Sequence, residues 1–436
     1  MMNLIASPWI PAVLLLVFTC GARLSSESWL APAAFAGLAW SVYIVIPLIV
    51  APEFPTPALG VWVLVSLVVS IQVGAWLTSE DARHRQGNRG LARLDPGHLR
   101  KLEWAILVFA AVAMVGAVYL GWRTVQENDL SLSGAGLLAI GSLLSVARYS
   151  GENEPFIFRI LYAWVYPAAL LGGITFAFAG SRKSRLICFA AAIPAIVYVF
   201  VETAKAGLLF AGCCWLAGYM ATKVATGRER FRLLNRKVLL VAAACVMAGT
   251  AMFVVTDAIR GRSEDQGVVI APDPVRMKAA VFGYLSVFSQ WMSGSRSEKL
   301  GFGAYTFGGL FDLAGLHPRV IGVYSASITL PGLEESNVYT AFRGLIEDFS
   351  FAGAIAFCAG LGGLCGYAYR QLRRGRLRWV VTVSAFYAYL IWSPVGSLFV
   401  YNGLLLAWGV AALLFTAGKS PAGDRQAISP DFARQA

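Results

Sequence analysis

The chain has 436 residues, of which 58% are hydrophobic and 14% are charged, and its mean hydropathy is +0.64. Soluble globular proteins contain roughly 45–50% apolar and about 25% charged residues, so this composition excludes a soluble protein. The apolar residues occur in runs long enough for a helix to cross about 30 Å of hydrocarbon. We therefore predict an all-α polytopic membrane protein, because the strands of a membrane barrel would alternate polar and apolar residues.

The hydropathy pattern predicts about 11 transmembrane helices, within a range of about 10–12. They lie at about 4–22, 29–50, 59–78, 102–122, 156–179, 186–201, 204–220, 238–256, 350–369, 379–394 and 397–417. No Lys or Arg precedes Arg23, so we expect the first apolar run to stay in the membrane rather than to be a cleaved signal peptide. The predicted organisation is an N-terminal bundle of about eight transmembrane helices, a large extracytoplasmic loop, the C-terminal transmembrane helices and a cytoplasmic tail, over 1–256, 257–349, 350–418 and 419–436.

The charged residues are distributed unevenly along the chain. Lys and Arg number 36 against 24 Asp and Glu, which gives a net charge of +12 and a pI near 9.5. In a soluble protein this balance would point to nucleic acid, but 23 of the 36 basic residues lie in alternate linkers, at 79–101, 180–185, 221–237, 370–378 and the C-terminal tail. The positive-inside rule makes these linkers cytoplasmic and places the N-terminus outside. Because membrane topology accounts for most of the basic excess, we predict no nucleic-acid partner.

The two longest linkers, 123–155 and 257–349, are predicted to lie on the outer side. Loops beyond about 12–15 residues without structure are uncommon in compact folds, so the second linker is expected to fold. Apolar residues recur there at three- and four-residue spacing, at Met277, Val281, Tyr284, Phe288 and Trp291. This spacing predicts an amphipathic helix, which either lies at the membrane–water interface or packs on the bundle. A weaker helical pattern covers 135–148.

Ionisable residues inside a membrane bundle are costly and are therefore functional candidates. Glu202 and Lys205 lie between two apolar runs that are each too short to cross the bilayer, so we expect their turn in a water-filled depression below the outer surface. A local ion pair that holds the turn is the alternative. Arg159 lies near the start of a span, where extension of its side chain to the interface is an equally simple explanation.

A third group of polar residues precedes the span predicted at 350–369. Tyr339, Arg343 and Glu347 are spaced by four residues, so in a helix they share one face. Together with Asn337 and Asp348 they would line the mouth of the bundle. The alternative is an Arg343–Glu347 pair that only stabilises the helix, worth about 0.3–0.5 kcal/mol if exposed.

The outer linker also carries many basic residues, at Arg260, Arg262, Arg276, Lys278, Arg296, Lys299 and Arg319. Arginine binds phosphate oxygens in a bidentate manner, so this cluster predicts a pyrophosphate or another anion as ligand, with lipid headgroups as the alternative. The sequence contains no Walker A loop and no HExxH motif, and its three histidines are far apart. We therefore predict neither a metal nor another cofactor. The Gly362-x-x-x-Gly366 spacing predicts close helix packing.

A more specific pattern lies in the C-terminal part of the chain. It comprises Ser336-Asn337-Val338-Tyr339-Thr340-Ala341-Phe342, Glu347-Asp348-Phe349, and a glycine-rich span that contains Gly353 and ends at Gly366-Tyr367-Ala368-Tyr369-Arg370. This pattern resembles the C-terminal half of bacterial oligosaccharide repeat-unit polymerases, the Wzy-type O-antigen and exopolysaccharide polymerases. The turn at Lys205, followed by Ala206-Gly207-Leu208-Leu209-Phe210, is similar to a short basic turn of that family, which usually carries Arg at the Lys205 position. The close motifs cover about 50 residues, and the layout of spans covers most of the chain.

The resemblance implies a GT-C-like, metal-independent glycosyltransferase in the bacterial inner membrane, with its active site facing the periplasm. Such an enzyme transfers a growing chain from undecaprenyl pyrophosphate to a sugar hydroxyl of a new lipid-linked repeat unit, in the synthesis of lipopolysaccharide O-antigen or exopolysaccharide. The implied partners are undecaprenyl-pyrophosphate-linked oligosaccharides, membrane lipid, a flippase and a co-polymerase that controls chain length. No cofactor is implied.

The polar residues described above fit this chemistry. Cations would stabilise the pyrophosphate leaving group, and the candidates are Arg343, Arg260 and Arg262. The attacking hydroxyl needs a base, for which the candidates are Glu347 and Asp348, and single displacement would invert the anomeric centre. Sugar hydroxyls would bind Asn337 and Tyr339. The predicted substrate-binding set is completed by Arg159, Glu202, Lys205 and Arg276.

Two other functions are considered. An O-antigen ligase shares the topology and the lipid donor, but it would carry a histidine followed by Asn, Ser or Gln in its outer loop, whereas His317 is followed by Pro318-Arg319. A lipid-linked oligosaccharide transporter or flippase would need polar residues deep in both halves, whereas 16 of the 24 acidic residues lie on the predicted outer side or its rim. One-sided polarity favours an outward-facing enzyme over a transporter.

Overall fold

The computed structural model describes residues 7–79, 92, 94–128, 143–144, 155–202, 205–229, 274–294, 300–316, 324, 327–331 and 333–417. Most of these residues are helical, and the strands among them form one two-stranded antiparallel hairpin. Within these ranges, eight helices are long and apolar enough to cross a membrane. The prediction of a helical polytopic membrane protein is confirmed at this level.

The elements are numbered here in chain order. The helices before the long outer linker are α1 Trp9–Ser26, α2 Pro32–Val50, α3 Ala58–Ser79, α4 Pro96–Glu127, α5 Phe156–Tyr162, α6 Val165–Phe176, α7 Arg182–Ile187, α8 Ala192–Glu202 and α9 Lys205–Ala225. They are followed by α10 Pro274–Ser293, α11 Gly308–Leu313, β1 Ile328–Leu330, β2 Leu333–Ser336, α12 Ala341–Arg373, α13 Val380–Trp392 and α14 Asn402–Ala417. Short 3₁₀ turns at Leu377–Trp379 and Leu398–Val400 precede the last two helices.

The observed helices test the predicted spans. The first seven predicted spans and the one at 350–369 correspond to long apolar helices, with α5–α6 and α7–α8 each forming one span. The predicted spans at 379–394 and 397–417 correspond to the shorter helices α13 and α14. The span predicted at 238–256 lies outside the described residues, as does most of the helical pattern at 135–148.

One predicted boundary agrees with the structure and another does not. The helix that begins at Ala341 is broken at Ser350, so a separate apolar helix starts at the boundary predicted for the span at 350–369. The span predicted from 397 becomes α-helical only at Asn402, because the hydroxyl of Ser397 accepts a hydrogen bond from the Phe399 N–H and donates one to the Thr306 carbonyl. Hydropathy does not register these side-chain bonds, which end or delay a helix.

The described residues of the predicted outer linkers contact one another at one end of the bundle, and those of the predicted inner linkers do so at the other. At one end, here called the loop end, Lys278 pairs with Glu53 at 3.1 Å and the Ala341 N–H donates to the Ser393 carbonyl. At the other end, here called the basic end, Arg373 pairs with the buried Glu229 at 3.2 Å. The alternation of linkers therefore agrees with the charge pattern, and the assignment of the basic end to the cytoplasm stays a prediction.

The amphipathic helix predicted from Met277 to Trp291 is present as α10. Its apolar face packs against α2 and α3 and against both strands of the hairpin. The Tyr284 hydroxyl donates to the Tyr43 carbonyl at 2.7 Å, and the Ser286 hydroxyl donates to the Pro55 carbonyl at 2.5 Å. Of the two alternatives for this helix, the structure therefore shows packing on the bundle.

Glycines let α3 and α12 approach closely, as the Gly362-x-x-x-Gly366 spacing predicted. A Cβ atom at Gly362 would overlap the Ile71 carbonyl oxygen, and one at Gly366 would overlap the Ala75 carbonyl oxygen. On the facing helix, a Cβ at Gly74 would overlap the Ala359 carbonyl oxygen. Backbone contact of this kind is a principal source of helix association in membranes.

This packing predicts a large effect of a small substitution. We expect Gly362→Ala to lower the free energy of unfolding by about 1–3 kcal/mol, because the added methyl group forces the two backbones apart. Gly360→Ala is the matched control on the same helix, since nothing lies within 4 Å of its Cβ position. The free energies of unfolding of the two variants would be measured in mixed detergent. Equal values would contradict the close approach of α3 and α12 at Gly362.

Candidate functional site

Arg343, Glu347 and Asp348 of the predicted group lie on a short helical segment at the loop end, whereas Tyr339 lies just before it, because the helix begins only at Ala341. α12 breaks at Ser350, whose φ of 65° and ψ of 173° are outside the helical region. Few residues other than glycine adopt a positive φ, so this conformation is strained. The Ser350 hydroxyl accepts a hydrogen bond from the Gly353 N–H at 3.4 Å and so caps the helix that continues from 351. The segment 341–349 therefore ends next to the start of the long apolar helix.

The guanidinium of Arg343 is enclosed by aromatic rings. Its Cζ lies 3.9 Å from the centre of the Tyr339 ring, 4.0 Å from that of Tyr324 and 5.1 Å from that of Trp291. The residue is only 6% exposed. A desolvated cation–π contact contributes about 2 kcal/mol, so these rings stabilise the positive charge and restrict the side chain to one position. We refer to Arg343 with Tyr339, Tyr324 and Trp291 as the arginine cage.

Arg343 is also paired with Glu347. Its Nε lies 3.0 Å from Oε1 of Glu347, and the two residues are one helical turn apart, as the sequence predicted. Each side chain also has a polar atom outside this ion pair. Nη1 of Arg343 and Oε2 of Glu347 are buried and have no hydrogen-bond partner in the described part of the chain. A buried polar atom left without a partner costs about 1–3 kcal/mol, so such atoms are expected where a ligand binds.

Asp348 has a different environment from its neighbour Glu347. One carboxylate oxygen accepts a hydrogen bond from the Tyr305 N–H at 3.2 Å, and the other accepts from the Thr306 N–H at 2.6 Å. The side chain is completely buried. The backbone carbonyls of Glu347 and Asp348 accept from the N–H groups of Gly301 and Phe302, which satisfies the C-terminus of the short helical segment. Asp348 therefore holds the segment 300–316 against the site.

These contacts predict a structural effect at Asp348. We expect Asp348→Ala to destabilise the protein by about 3–6 kcal/mol, because two hydrogen bonds to a charged group are lost and each contributes about 1.5–3 kcal/mol. Asp95→Ala is the control, since Asp95 also accepts from two backbone N–H groups, those of Gly97 and His98, but at an exposed helix end. The Asp95→Ala substitution should lower the free energy of unfolding by only about 0.5–2 kcal/mol. Thermal unfolding and protease cleavage within 300–316 would measure the difference.

The tyrosines of the cage are neutral hydrogen-bonding groups. Burial raises the pKa of Tyr339 above its usual value, and the opposing effect of Arg343 does not cancel it. Burial likewise raises the pKa of Tyr324 well above its usual value. Both hydroxyls therefore stay protonated at neutral pH. Gly344 makes room for this arrangement, because a Cβ there would lie 3.0 Å from the Tyr324 hydroxyl.

Several other predicted residues are not part of the cage. Asn337 is exposed and lies between β2 and Tyr339. Arg159 is exposed on α5, with its Cζ 6.0 Å from the centre of the Phe156 ring. Glu202 is buried at the end of α8, and Lys205 is half-buried at the start of α9. None of the contacts of Arg343 given above involves Arg159, Glu202 or Lys205.

Other predicted binding residues fall outside the described residues. These are Arg260 and Arg262, the side chain of Arg276, and also Arg296, Lys299, His317 and Arg319. Lys278 is described and forms the ion pair with Glu53 given above. Within the described ranges, no three His, Cys, Asp or Glu side chains are grouped in a way that could hold a metal ion. The prediction that no metal is required stays a prediction.

Sequence reasoning missed part of the site. Trp291 was recognised only as an apolar position of α10, and Tyr324 and Tyr305 were not singled out. Tyr305 stacks on Tyr324 at 5.6 Å between ring centres, and Tyr324 meets the Tyr339 ring edge-on at 5.3 Å. Isolated aromatic residues in a long linker carry no periodic signal, so only their tertiary contacts with Arg343 identify them.

Comparisons with known proteins do not assign a family or a function to this site. Models of protein families, curated proteins and solved structures were compared with the chain, and none matched. The resemblance of 336–370 to repeat-unit polymerases therefore stays a prediction from the sequence.

Proposed function

We propose that this protein polymerises undecaprenyl-pyrophosphate-linked oligosaccharide repeat units into O-antigen or exopolysaccharide. In this proposal it is an inverting, metal-independent glycosyltransferase that works at the loop end, on the periplasmic face of the bacterial inner membrane. The observation that carries the proposal is the pair of buried Arg343 and partly buried Glu347, each with one buried polar atom that the described residues leave without a partner. The pair lies just before the long apolar helix that continues from 351, which in this proposal places it near the lipid-linked pyrophosphate.

Arg343 would stabilise the leaving group. As the bond between the sugar and the pyrophosphate breaks, negative charge develops on a phosphate oxygen, and a fixed cation in a water-poor site stabilises it strongly. Nη1 of Arg343 has no protein partner in the described residues and would donate to that oxygen. The three rings of the cage hold the guanidinium in place, so little reorganisation is needed during the reaction.

Glu347 would act as the base. The hydroxyl oxygen of the acceptor sugar attacks the anomeric carbon, its proton moves to Oε2 of Glu347, and the bond to the pyrophosphate breaks with its electron pair on the phosphate oxygen. The products are a chain longer by one repeat unit and undecaprenyl pyrophosphate. Between the two carboxylates of the prediction, Glu347 is favoured, because both oxygens of Asp348 already accept backbone hydrogen bonds.

In our proposal, the structure represents a closed state of the site, to which the substrate has no access. The free atoms of Arg343 and Glu347 are covered by protein, so a substrate would have to displace part of the surrounding segment to reach them. Asn337 is exposed beside the cage and Tyr339 offers a neutral hydroxyl, which suits both residues to bind sugar hydroxyls as the substrate enters. A flippase that delivers the repeat units and a co-polymerase that limits chain length are the proposed partners.

Reconstitution tests the proposal directly. The purified protein would be placed in liposomes with the undecaprenyl-pyrophosphate-linked repeat unit of its own host, without nucleotide sugar or added metal, and the products separated on a gel. We expect a ladder of lipid-linked multimers with inverted anomeric configuration. Movement of the repeat unit between leaflets without a ladder would instead identify a transporter, and transfer only to a lipopolysaccharide core would identify a ligase.

A further inference from the structure

The segment 300–316 is unusually apolar for part of an outer linker. It contains one charged residue, Asp312, whose carboxylate accepts a hydrogen bond from Asn402 at 2.8 Å. Large apolar side chains of this segment are nevertheless exposed, at Leu300, Phe302, Leu310, Leu313 and Leu316. In contact with water, such a surface would be unfavourable by about 25 cal/mol for each Å² of apolar area.

The position of the segment brings this surface beside the membrane-spanning helices. The Phe307 ring lies 5.9 Å from that of Phe357, which is seven residues beyond the break at Ser350. Seven helical residues correspond to about 10 Å along the axis. Phe307 also contacts Phe399 at 5.5 Å, so the segment lies along the outer parts of the apolar helices rather than above them.

The backbone of the segment is suited to a lipid environment. Eleven of its N–H groups donate hydrogen bonds within the segment or to residues 347 and 348, at Gly301, Phe302, Ala304, Tyr305, Thr306, Phe307, Leu310, Phe311, Ala314, Gly315 and Leu316. Water-exposed loops do not require this, because water satisfies their backbone. A segment in hydrocarbon does require it, since each unsatisfied backbone group there costs several kcal/mol.

We propose that residues 300–316 insert into the lipid leaflet at the loop end and bind its acyl chains through Phe302, Leu310, Leu313 and Leu316. This surface continues the lipid-facing surface of the neighbouring apolar helices. Because Asp348 binds the backbone of 305 and 306, the inserted segment also sets the depth of Arg343 and Glu347 relative to the lipid headgroups. The inference concerns the membrane surface of the protein and does not depend on the proposed enzymatic activity.

Spin labels on the full-length protein test this proposal. Cys20 is exposed and Cys245 lies outside the described residues, so both would be changed to Ser, whereas the other five cysteines are buried. A nitroxide would then be attached at Leu313→Cys or, in a second variant, Leu316→Cys, in phosphatidylethanolamine–phosphatidylglycerol liposomes. Collision of the nitroxide with oxygen reports lipid, and collision with a water-soluble nickel chelate reports water.

Two reference positions calibrate the measurement. Leu413 on α14 is 69% exposed and faces lipid if that helix spans the membrane, whereas Glu53 lies in the turn between α2 and α3 and pairs with Lys278. We expect oxygen-to-nickel ratios at both test positions about tenfold above that at Glu53 and similar to that at Leu413. Ratios equal to that at Glu53 would overturn the proposal. Low collision with both reagents would also overturn it, because a second protein surface would then cover these residues.

Discussion

Under the proposed function, replacing Arg343 with lysine is expected to reduce polymer formation by about a hundredfold to a thousandfold, which is the usual cost of removing one preorganised donor from an enzyme active site. Lysine keeps the positive charge and can contact the aromatic rings, but its single ammonium cannot bind Glu347 and a pyrophosphate oxygen in the geometry of a guanidinium. The rate of ladder formation in liposomes measures the loss. The thermal unfolding temperature of the purified variant should stay close to that of the wild-type protein, since the cation–π contacts remain.

Arg123 provides a matched control for this substitution. It also pairs with a glutamate four residues later, Glu127, at 2.6 Å, but its side chain is 41% exposed on α4. Arg123→Lys should leave the rate of polymer formation unchanged. Full activity of the Arg343→Lys variant would remove Arg343 from the proposed mechanism, and equal losses in both variants would point to a general effect of arginine replacement.

Replacing Glu347 with glutamine is expected to reduce polymer formation by about a hundredfold to ten-thousandfold, the contribution usual for general base catalysis. Glutamine is isosteric and its amide oxygen still accepts a hydrogen bond from Nε of Arg343, so the cage should persist. What is lost is the ability to take a proton. The activity of the wild-type protein should fall on the acidic side as Glu347 becomes protonated, and this limb of the pH profile should vanish in the variant.

The pH profile separates this role from a structural one. If Glu347 only holds Arg343 in place, glutamine should preserve most of the activity and the acidic limb should persist. Glu127→Gln is the control, because it alters the exposed counterpart of the pair on α4. Its pH profile should match that of the wild-type protein.

Much of the fold was predictable from the sequence, because transmembrane helices are specified by local hydropathy. Eight of the predicted spans appear as long apolar helices in the described residues, and α10 follows the spacing of its apolar residues. The helix ends were less predictable. The late start of α14 was not predicted, since Ser397 and Asn402 both bond to the segment 300–316, which lies far from them in the chain.

The candidate site was only partly predictable. The four-residue spacing placed Arg343 and Glu347 one turn apart on a helix, since helical periodicity is a local property, but Tyr339 precedes the helix and reaches Arg343 from extended chain. The same pattern also pointed to Asp348 as a possible base, and it gave no sign that backbone N–H groups from 305 and 306 occupy its carboxylate. Those bonds form between distant parts of the chain.

The sequence by itself determined that this protein is helical and membrane-embedded, which linkers share an end of the bundle, and which charged residues are candidates for chemistry. These properties follow from composition and short-range periodicity, which a single chain segment carries within itself. Only the tertiary structure decided that Trp291 and Tyr324 enclose Arg343, and that Glu347 rather than Asp348 keeps an oxygen free of protein partners among the described residues. The reason is physical: burial and hydrogen-bond satisfaction depend on which distant segments meet, and folding brings them together.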